Sequence, residues 1–399
     1  MKMKEQNSLK TLEVKRAVES FQGDILTLLD KIVGINSYSH NTTGVAQVAQ
    51  EVSKSLPSPL FLENGTSYDD EVVWICRHSA SNEPAILLVG HLDTVFPPGS
   101  FDSGVVARGP HLLGPGVADM KGGVVVILGA LWVLDRLGFL PGIPLMLALN
   151  GDEEIGSPRS AQKLVELART SRLGLVFECG GPEGSVVTSR RGLHRYRLEI
   201  HGEAGHSGTH QGAKTSAVVE LAHQILKLEA LNDPKTGISL NVGQVKGGTA
   251  VNIIPAEAEA ELEVRFFEEN RGEEVEEKIH TLIRSTPQST LKINLTKRHG
   301  RPPMACTPSI SSLYRAAART AKKMDLHLLE EARGGASDAN FLAATNLPTL
   351  DGLGPVGEMD HSKNERILKN SLFQRVELLV HLLWDLRSWP ALYSRYLEH

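Results

Sequence analysis

The strongest constraint on this chain is a series of short, nearly continuous apolar runs separated by helical stretches. Val72–Cys76, Ala85–Gly90, Leu145–Asn150 and Gly174–Phe177 have the length and composition of strands. An unbroken apolar run, unlike an alternating one, is expected where both faces of a strand are buried. Helical periodicity lies at residues 10–33, Lys121–Leu137 and Ser160–Arg169. Strands alternating with helices predict an α/β sheet covered on both sides.

The pattern changes near Arg190. His194–His201 alternates polar and apolar residues, as a half-exposed strand does. A helix at about Thr215–Leu231, strands at Ile238–Val245 and Ala258–Phe267, a helix near Glu273–Ser285 and a strand at Leu291–Lys297 complete an α+β module. The first style returns after Arg301-Pro302-Pro303, with helices near 309–324 and 366–386. We therefore expect a discontinuous domain, residues 1–190 and 302–399, interrupted by an inserted domain, residues 191–301.

Composition narrows the function. The 399 residues carry 42 basic and 47 acidic side chains, a net charge of −5. That balance argues against a nucleic-acid-binding surface as the main activity. The three cysteines, Cys76, Cys179 and Cys306, are widely spaced and form no CxxC, so a reducing compartment is expected. No apolar stretch of signal-peptide length follows the early lysines, and the longest apolar run, Gly122–Leu134, is too short to cross a bilayer. The expectation is a cytoplasmic protein with no membrane or nucleic-acid partner.

The chemistry sits where the strands end. Ala85–Gly90 runs into His91-Leu92-Asp93, and Leu145–Asn150 into Gly151-Asp152-Glu153-Glu154. Gly174–Phe177 runs into Glu178-Cys179. Asp119 stands just before a helix, followed by Gly122-Gly123, and His361 lies in Gly357-Glu358-Met359-Asp360-His361-Ser362. In open α/β sheets the crevice beyond the strand ends is where ligands bind. Each residue alone has an ordinary reading: His91 a surface histidine, Asp119 a helix N-cap, the acids a charged turn, His361 a loop residue. Three adjacent acids repel unless a cation neutralises them, and neighbours in extended backbone point to opposite sides. Two histidines and three carboxylates suffice for two divalent metals with one carboxylate bridging. A hydroxide then balances the remaining charge, the composition of a binuclear hydrolase site.

The chain resembles the M20 family of co-catalytic zinc metallopeptidases, closest to its glutamate carboxypeptidase (carboxypeptidase G2-like) branch. The resemblance rests on GHLDTVFPPG at 90–99, GPGVADMKGG at 114–123, NGDEEIGS at 150–157 and FECG at 177–180. It continues in GEAGHSGTHQGAKTSA at 202–217, GGTAVNIIPA at 247–256, GRP at 300–302, GGASDANF at 334–341 and GLGPVGEMDHS at 352–362. It implies an α/β zinc-exopeptidase-like catalytic domain, a mixed sheet flanked by helices, with an inserted α+β (ferredoxin-like) lid and dimerisation domain. It further implies two Zn2+ per subunit, with Co2+ and Mn2+ as alternatives of similar ligand preference. Asp119 would bridge them, with His91 and Glu178 completing one site and Glu154 and His361 the other. Glu153 would be the general base, Asp93 the residue that holds His91, and His206 an oxyanion donor reaching the partner subunit of a homodimer. Asn252 and Arg301 would contact the substrate's carboxylate or scissile carbonyl, both delivered by the same lid. A cis peptide at Asp119–Met120 is implied as well. One departure is plain: the lysine this branch carries a few residues after the FE motif is absent from GGPEGSVVTSRRG, where Arg190 and Arg191 are the nearby cations.

These expectations describe a carboxypeptidase that releases a C-terminal amino acid from a peptidyl or N-acyl substrate. The same chemistry serves an N-acyl-amino-acid deacylase, resembling acetylornithine deacetylase or succinyl-diaminopimelate desuccinylase. A non-catalytic scaffold would have no use for a complete ligand set and base.

Overall fold

The computed structural model describes residues 10–58, 60–62, 72–78, 84–101, 104–212, 214–284 and 291–389. Two expectations, Ser285 as a helix end and Ala213 within the 202–217 motif, fall outside them. The chain divides into two compact units. One runs to Thr188 and resumes over Cys306–Ala332 and from Ser337, and the other comprises Ser189–Ala305 with Arg333–Ala336.

The first unit is built on a six-stranded mixed sheet. Its order is Leu60–Leu62, Val73–His78, Leu145–Asn150, Ile86–His91, Leu173–Val176, Thr349–Leu350. The last four run parallel, and Val73–His78 is antiparallel to Leu145–Asn150. Every residue of Ile86–His91 and Leu145–Asn150 is buried, which explains their unbroken apolar character. Helix Lys121–Arg136 packs between Thr11–Val33 and Lys369–Leu386 and lies against Ile86–His91. It buries thirteen of its sixteen residues. Each fully buried Val or Leu there contributes about 1.5–3 kcal/mol over an exposed one. The paired glycines at its start are needed for close packing. A Cβ on Gly123 would lie 1.9 Å from the Phe177 carbonyl oxygen, and one on Gly122 2.3 Å from that of Val117. The helix start is thereby seated on the strand that leads to Glu178.

Three elements of this unit differ from the sequence pattern. Thr42–Lys54 is a helix whose inner face is largely glycine, alanine and valine, too weakly apolar to stand out. Arg366–Leu368 is not helical. It joins a small sheet with His111–Leu113, Val106–Arg108 and Gly357–Glu358, and the helix begins at Lys369. Glu153–Ile155 is a 3-10 turn rather than extended backbone.

The second unit is a four-stranded antiparallel sheet in the order Ser239–Gly247, Glu257–Phe266, Gly192–His201, Lys292–Lys297, with helices Ala217–Glu229 and Glu269–Arg284. Strand and helix order is that of the ferredoxin-like βαββαβ motif. Tyr196, Leu198 and Ile200 enter its core while Arg195, Arg197 and Glu199 point the other way.

Candidate metal centre

Because the four parallel strands share a direction, their carboxyl ends lie along one edge of the sheet. His91 is the last residue of its strand, Glu153 and Glu154 follow Asn150 on the next strand, and Glu178 lies two residues beyond Val176. Register pairs His91 with Asn150, so these ends are level. His91 is 1% exposed, a buried histidine and not a surface one.

Asp119 is the centre of the cluster. It does not cap the following helix, whose N-cap is Met120 without a side-chain cap bond. One of its carboxylate oxygens lies 2.9 Å from His91 Nε2 and the other 3.0 Å from His361 Nε2. Glu178 stands 3.7 Å from the same His91 nitrogen, and Glu154 3.2 Å from the same His361 nitrogen. The Asp119–Met120 peptide is cis. His361 and Met359 both have positive φ, 58° and 62°, and the Ser362 hydroxyl donates to the Met359 carbonyl at 2.7 Å. Left-handed backbone costs a non-glycine residue on the order of 1 kcal/mol or more, so this turn is held at some expense to present His361. His91, Asp119 and Glu154 place ligand atoms within 4.8 Å of one another, a group able to hold a metal ion.

The electrostatics call for added positive charge. Burial, then the neighbouring Asp119 charge, pushes Glu154 up to about 8 and Glu178 well above the carboxylate range. Burial alone would lower His91, but bonds to Asp119 and Asp93 hold it well above the usual histidine value. Bonds to Asp119 and Glu154 raise His361 to about 11. Burial opposes ionisation of Asp119, yet the two histidines keep it far below the ordinary range. A cluster that takes up protons at Glu154, Glu178, His91 and His361 around an ionised Asp119 has more carboxylate than its surroundings can neutralise, and its nitrogen and oxygen donors suit divalent metals.

Around this cluster lie Asp93, singled out in the sequence, and Glu365 and Asp338, which are not. Asp93 accepts from the Ser39 hydroxyl at 2.7 Å and from the backbone N–H groups of Glu153 and Glu154, both at 3.2 Å. His91 Nδ1 lies 3.0 Å from the Asp93 carbonyl oxygen and 3.3 Å from its carboxylate. Glu365 accepts backbone N–H bonds from Gly116, Ala118 and Asp119. Asp338 accepts from Ser157 at 2.6 Å and Asn150 at 2.8 Å, bracing the acidic loop. A polar residue meant for burial looks like any surface residue in sequence, and only the clustering of Glu365 near His361 offered a hint. Glu153 and Glu154 share a 3-10 turn, so the expectation of extended backbone is corrected. At three residues per turn their side chains still diverge by about 120°.

In the second unit, His206 pairs with Ile253, and Ser207 N–H donates to the Asn252 carbonyl at 2.9 Å, so His206 and Asn252 share one exposed ribbon. Arg301 is elsewhere. It is buried and exchanges backbone bonds with Leu193, near the start of strand Gly192–His201. The ribbon leaves from the far end of that strand, at His201, eight residues on from Leu193. At roughly 3.3 Å per residue that is about 26 Å. The expectation that one lid brings Asn252 and Arg301 together onto one substrate is therefore not met: the strand holds them apart. Arg190 donates to the Gly335 carbonyl and Arg191 lies over the Phe267 ring, so both cations are engaged within this unit.

Residues 87–385 match the sequence profile described as Peptidase family M20/M25/M40. Carboxypeptidase G2 of Pseudomonas sp. (strain RS-16) is 27% identical over 392 residues, covering 93% of this chain and 91% of the relative. Succinyl-diaminopimelate desuccinylase of Methylorubrum populi is 27% identical over 380 residues, covering 89% and 91%. Among solved structures, aminopeptidase PepT from Bacillus cereus superposes with a TM-score of 0.74 at 20% identity, covering 91% of this chain and 98% of that one. No helix among the described residues is long and apolar enough to cross a membrane.

Proposed function

This chain belongs to peptidase family M20/M25/M40 and is a hydrolase of that family, and from that premise we propose that it is a two-zinc enzyme that releases a C-terminal amino acid from a peptidyl or N-acyl group. The observation that carries this reading is the division of Asp119 between two donor sets, His91 with Glu178 and His361 with Glu154. Each set would hold one metal, with Asp119 shared. Bound divalent metals supply a Lewis acid for the carbonyl and lower the pKa of water. Glu153 takes the proton from the attacking water and returns it to the leaving amine. Asp93 orients His91 and, through two backbone N–H groups, the loop that bears Glu153.

Arg301 serves as the bidentate partner of the substrate's α-carboxylate. His206 and Asn252 act on the site of a second copy, a reading supported by their attachment at the strand end remote from Arg301. A homodimer is supported further by apolar residues left exposed on this unit: Val219 and Leu226 on helix Ala217–Glu229, and Val245 on the edge strand Ser239–Gly247. We place the protein in the cytoplasm on its cysteine content.

The similarity to a desuccinylase favours one alternative, an N-acyl-amino-acid deacylase that uses the same residues on a smaller acyl group. Metal analysis of the purified protein, with hydrolysis of a series that keeps one amino acid and enlarges the acyl group, tests both. Rates that grow toward peptidyl substrates support the carboxypeptidase, rates confined to acetyl or succinyl groups support the deacylase, and no hydrolysis with metal bound defeats both.

A further inference from the structure

Resting on that two-metal reading, we propose that Glu365 is a positioning residue that sets the spacing between Asp119 and His361, and with it the affinity of the His361 metal site more than that of the His91 site. Glu365 is fully buried. One carboxylate oxygen accepts the N–H groups of Ala118 and Asp119, at 2.8 and 3.1 Å, and the other that of Gly116 at 3.2 Å. The loop returns a contact, since Gly114 N–H donates to the Glu365 carbonyl at 3.3 Å. Glu365 N–H in turn donates to the Ser362 carbonyl, one residue past His361. A single residue thus joins the loop carrying Asp119, through its side chain, to the turn carrying His361, through its backbone, although 242 residues separate Asp119 and His361 in sequence.

The other donor pair is fixed differently. His91 is held by its strand and by Asp93, and Glu178 follows the strand beside it; the Glu365 hydrogen bonds go to Gly114, Gly116, Ala118, Asp119 and Ser362 and to neither of these residues. Releasing the Glu365 clamp should therefore loosen the Asp119–His361 separation while leaving His91 and Glu178 in place. Glutamine at this position keeps one acceptor oxygen but turns an NH2 group toward backbone N–H donors, which cannot pair with it.

The test is titration of the metal-free protein with Zn2+ against a chelating indicator, resolving two binding steps. His361→Ala and His91→Ala identify which step belongs to which donor set. In Glu365→Gln the step removed by His361→Ala should weaken by about 10–100-fold, and the step removed by His91→Ala, which shares Asp119 but keeps His91 and Glu178 in place, should weaken much less. Glu365→Asp keeps the charge and withdraws the carboxylate by one methylene. It should weaken the same step to a smaller extent, and it carries the test if Glu365→Gln does not fold. A purely structural role would lower the melting temperature of the metal-free protein and leave the ratio of the two affinities unchanged. That result, or equal weakening of both steps, overturns the proposal. Failure of the two-metal reading is distinguishable, because the unaltered protein would then show fewer than two steps.

Discussion

The Asp93 carboxylate accepts the backbone N–H of Glu153 at 3.2 Å. The group beside His91 is therefore also an anchor of the neighbouring acidic loop, and the anchorage runs through main chain. Changing the Glu153 side chain leaves it intact. Glu153→Gln should bind metal as before and lose the chemical step by orders of magnitude, whereas Glu154→Gln should also weaken metal binding. Metal content and single-turnover rates of the two variants check this, and near-normal turnover in Glu153→Gln would remove it as the base.

The trans assignment of His206 makes complementation possible. Inactive His206→Ala protomers mixed with inactive Glu153→Gln protomers should regain activity, because one of the two hybrid sites has both residues. Native mass spectrometry establishes that mixed dimers have formed. Mixed dimers without activity would count against a histidine supplied by the partner.

Arg301 is held between backbone bonds to Leu193 and the following Pro302, so its reach is restricted. A substrate with a free α-carboxylate should be preferred over its amide by about 2–5 kcal/mol of transition-state binding, the scale for leaving a buried charge unpaired. Arg301→Ala should lower kcat/KM for the acid and largely abolish the preference. Comparable turnover of acid and amide by the unaltered enzyme would rule out the carboxylate contact and the exopeptidase reading with it.

His194 gives the second unit a pH dependence. Its ring packs edge-on against Phe266, 4.7 Å between centroids, and its Nδ1 lies 3.3 Å from the Tyr196 hydroxyl. Burial, then the Lys297 charge, lowers its pKa below the ordinary histidine value, and Glu276 opposes them more weakly. A base with a depressed folded pKa binds fewer protons folded than unfolded. Its contribution is complete above the unfolded value of about 6.5 and is lost as pH falls toward the folded one. Between pH 7.5 and 5.5 the melting temperature should fall more steeply in the unaltered protein than in His194→Gln. Parallel slopes would show that His194 titrates alike in both states.

Much of this molecule was legible in the chain itself. Apolar runs buried on both faces announce their own length, so the strands before His91, Glu153 and Glu178 could be placed within a residue or two. The change to strict alternation after Arg190 likewise marked where a sheet with one open face begins. Those properties are local: they depend on the period of side chains along a few residues. Which strands lie side by side is not local, nor is the arrival of His361 and Glu365 beside Asp119 from more than 240 residues away. Burial of Glu365, Ser39 and Asp338 depends on segments that meet only after the sheet has formed, so their polar side chains carry no mark of it in sequence. The separation of Arg301 from His206 was decided in the same way. Both lie in motifs of the inserted unit, but antiparallel pairing ties one to Leu193 and launches the other from beyond His201, and the rigid length of the strand between them keeps them apart.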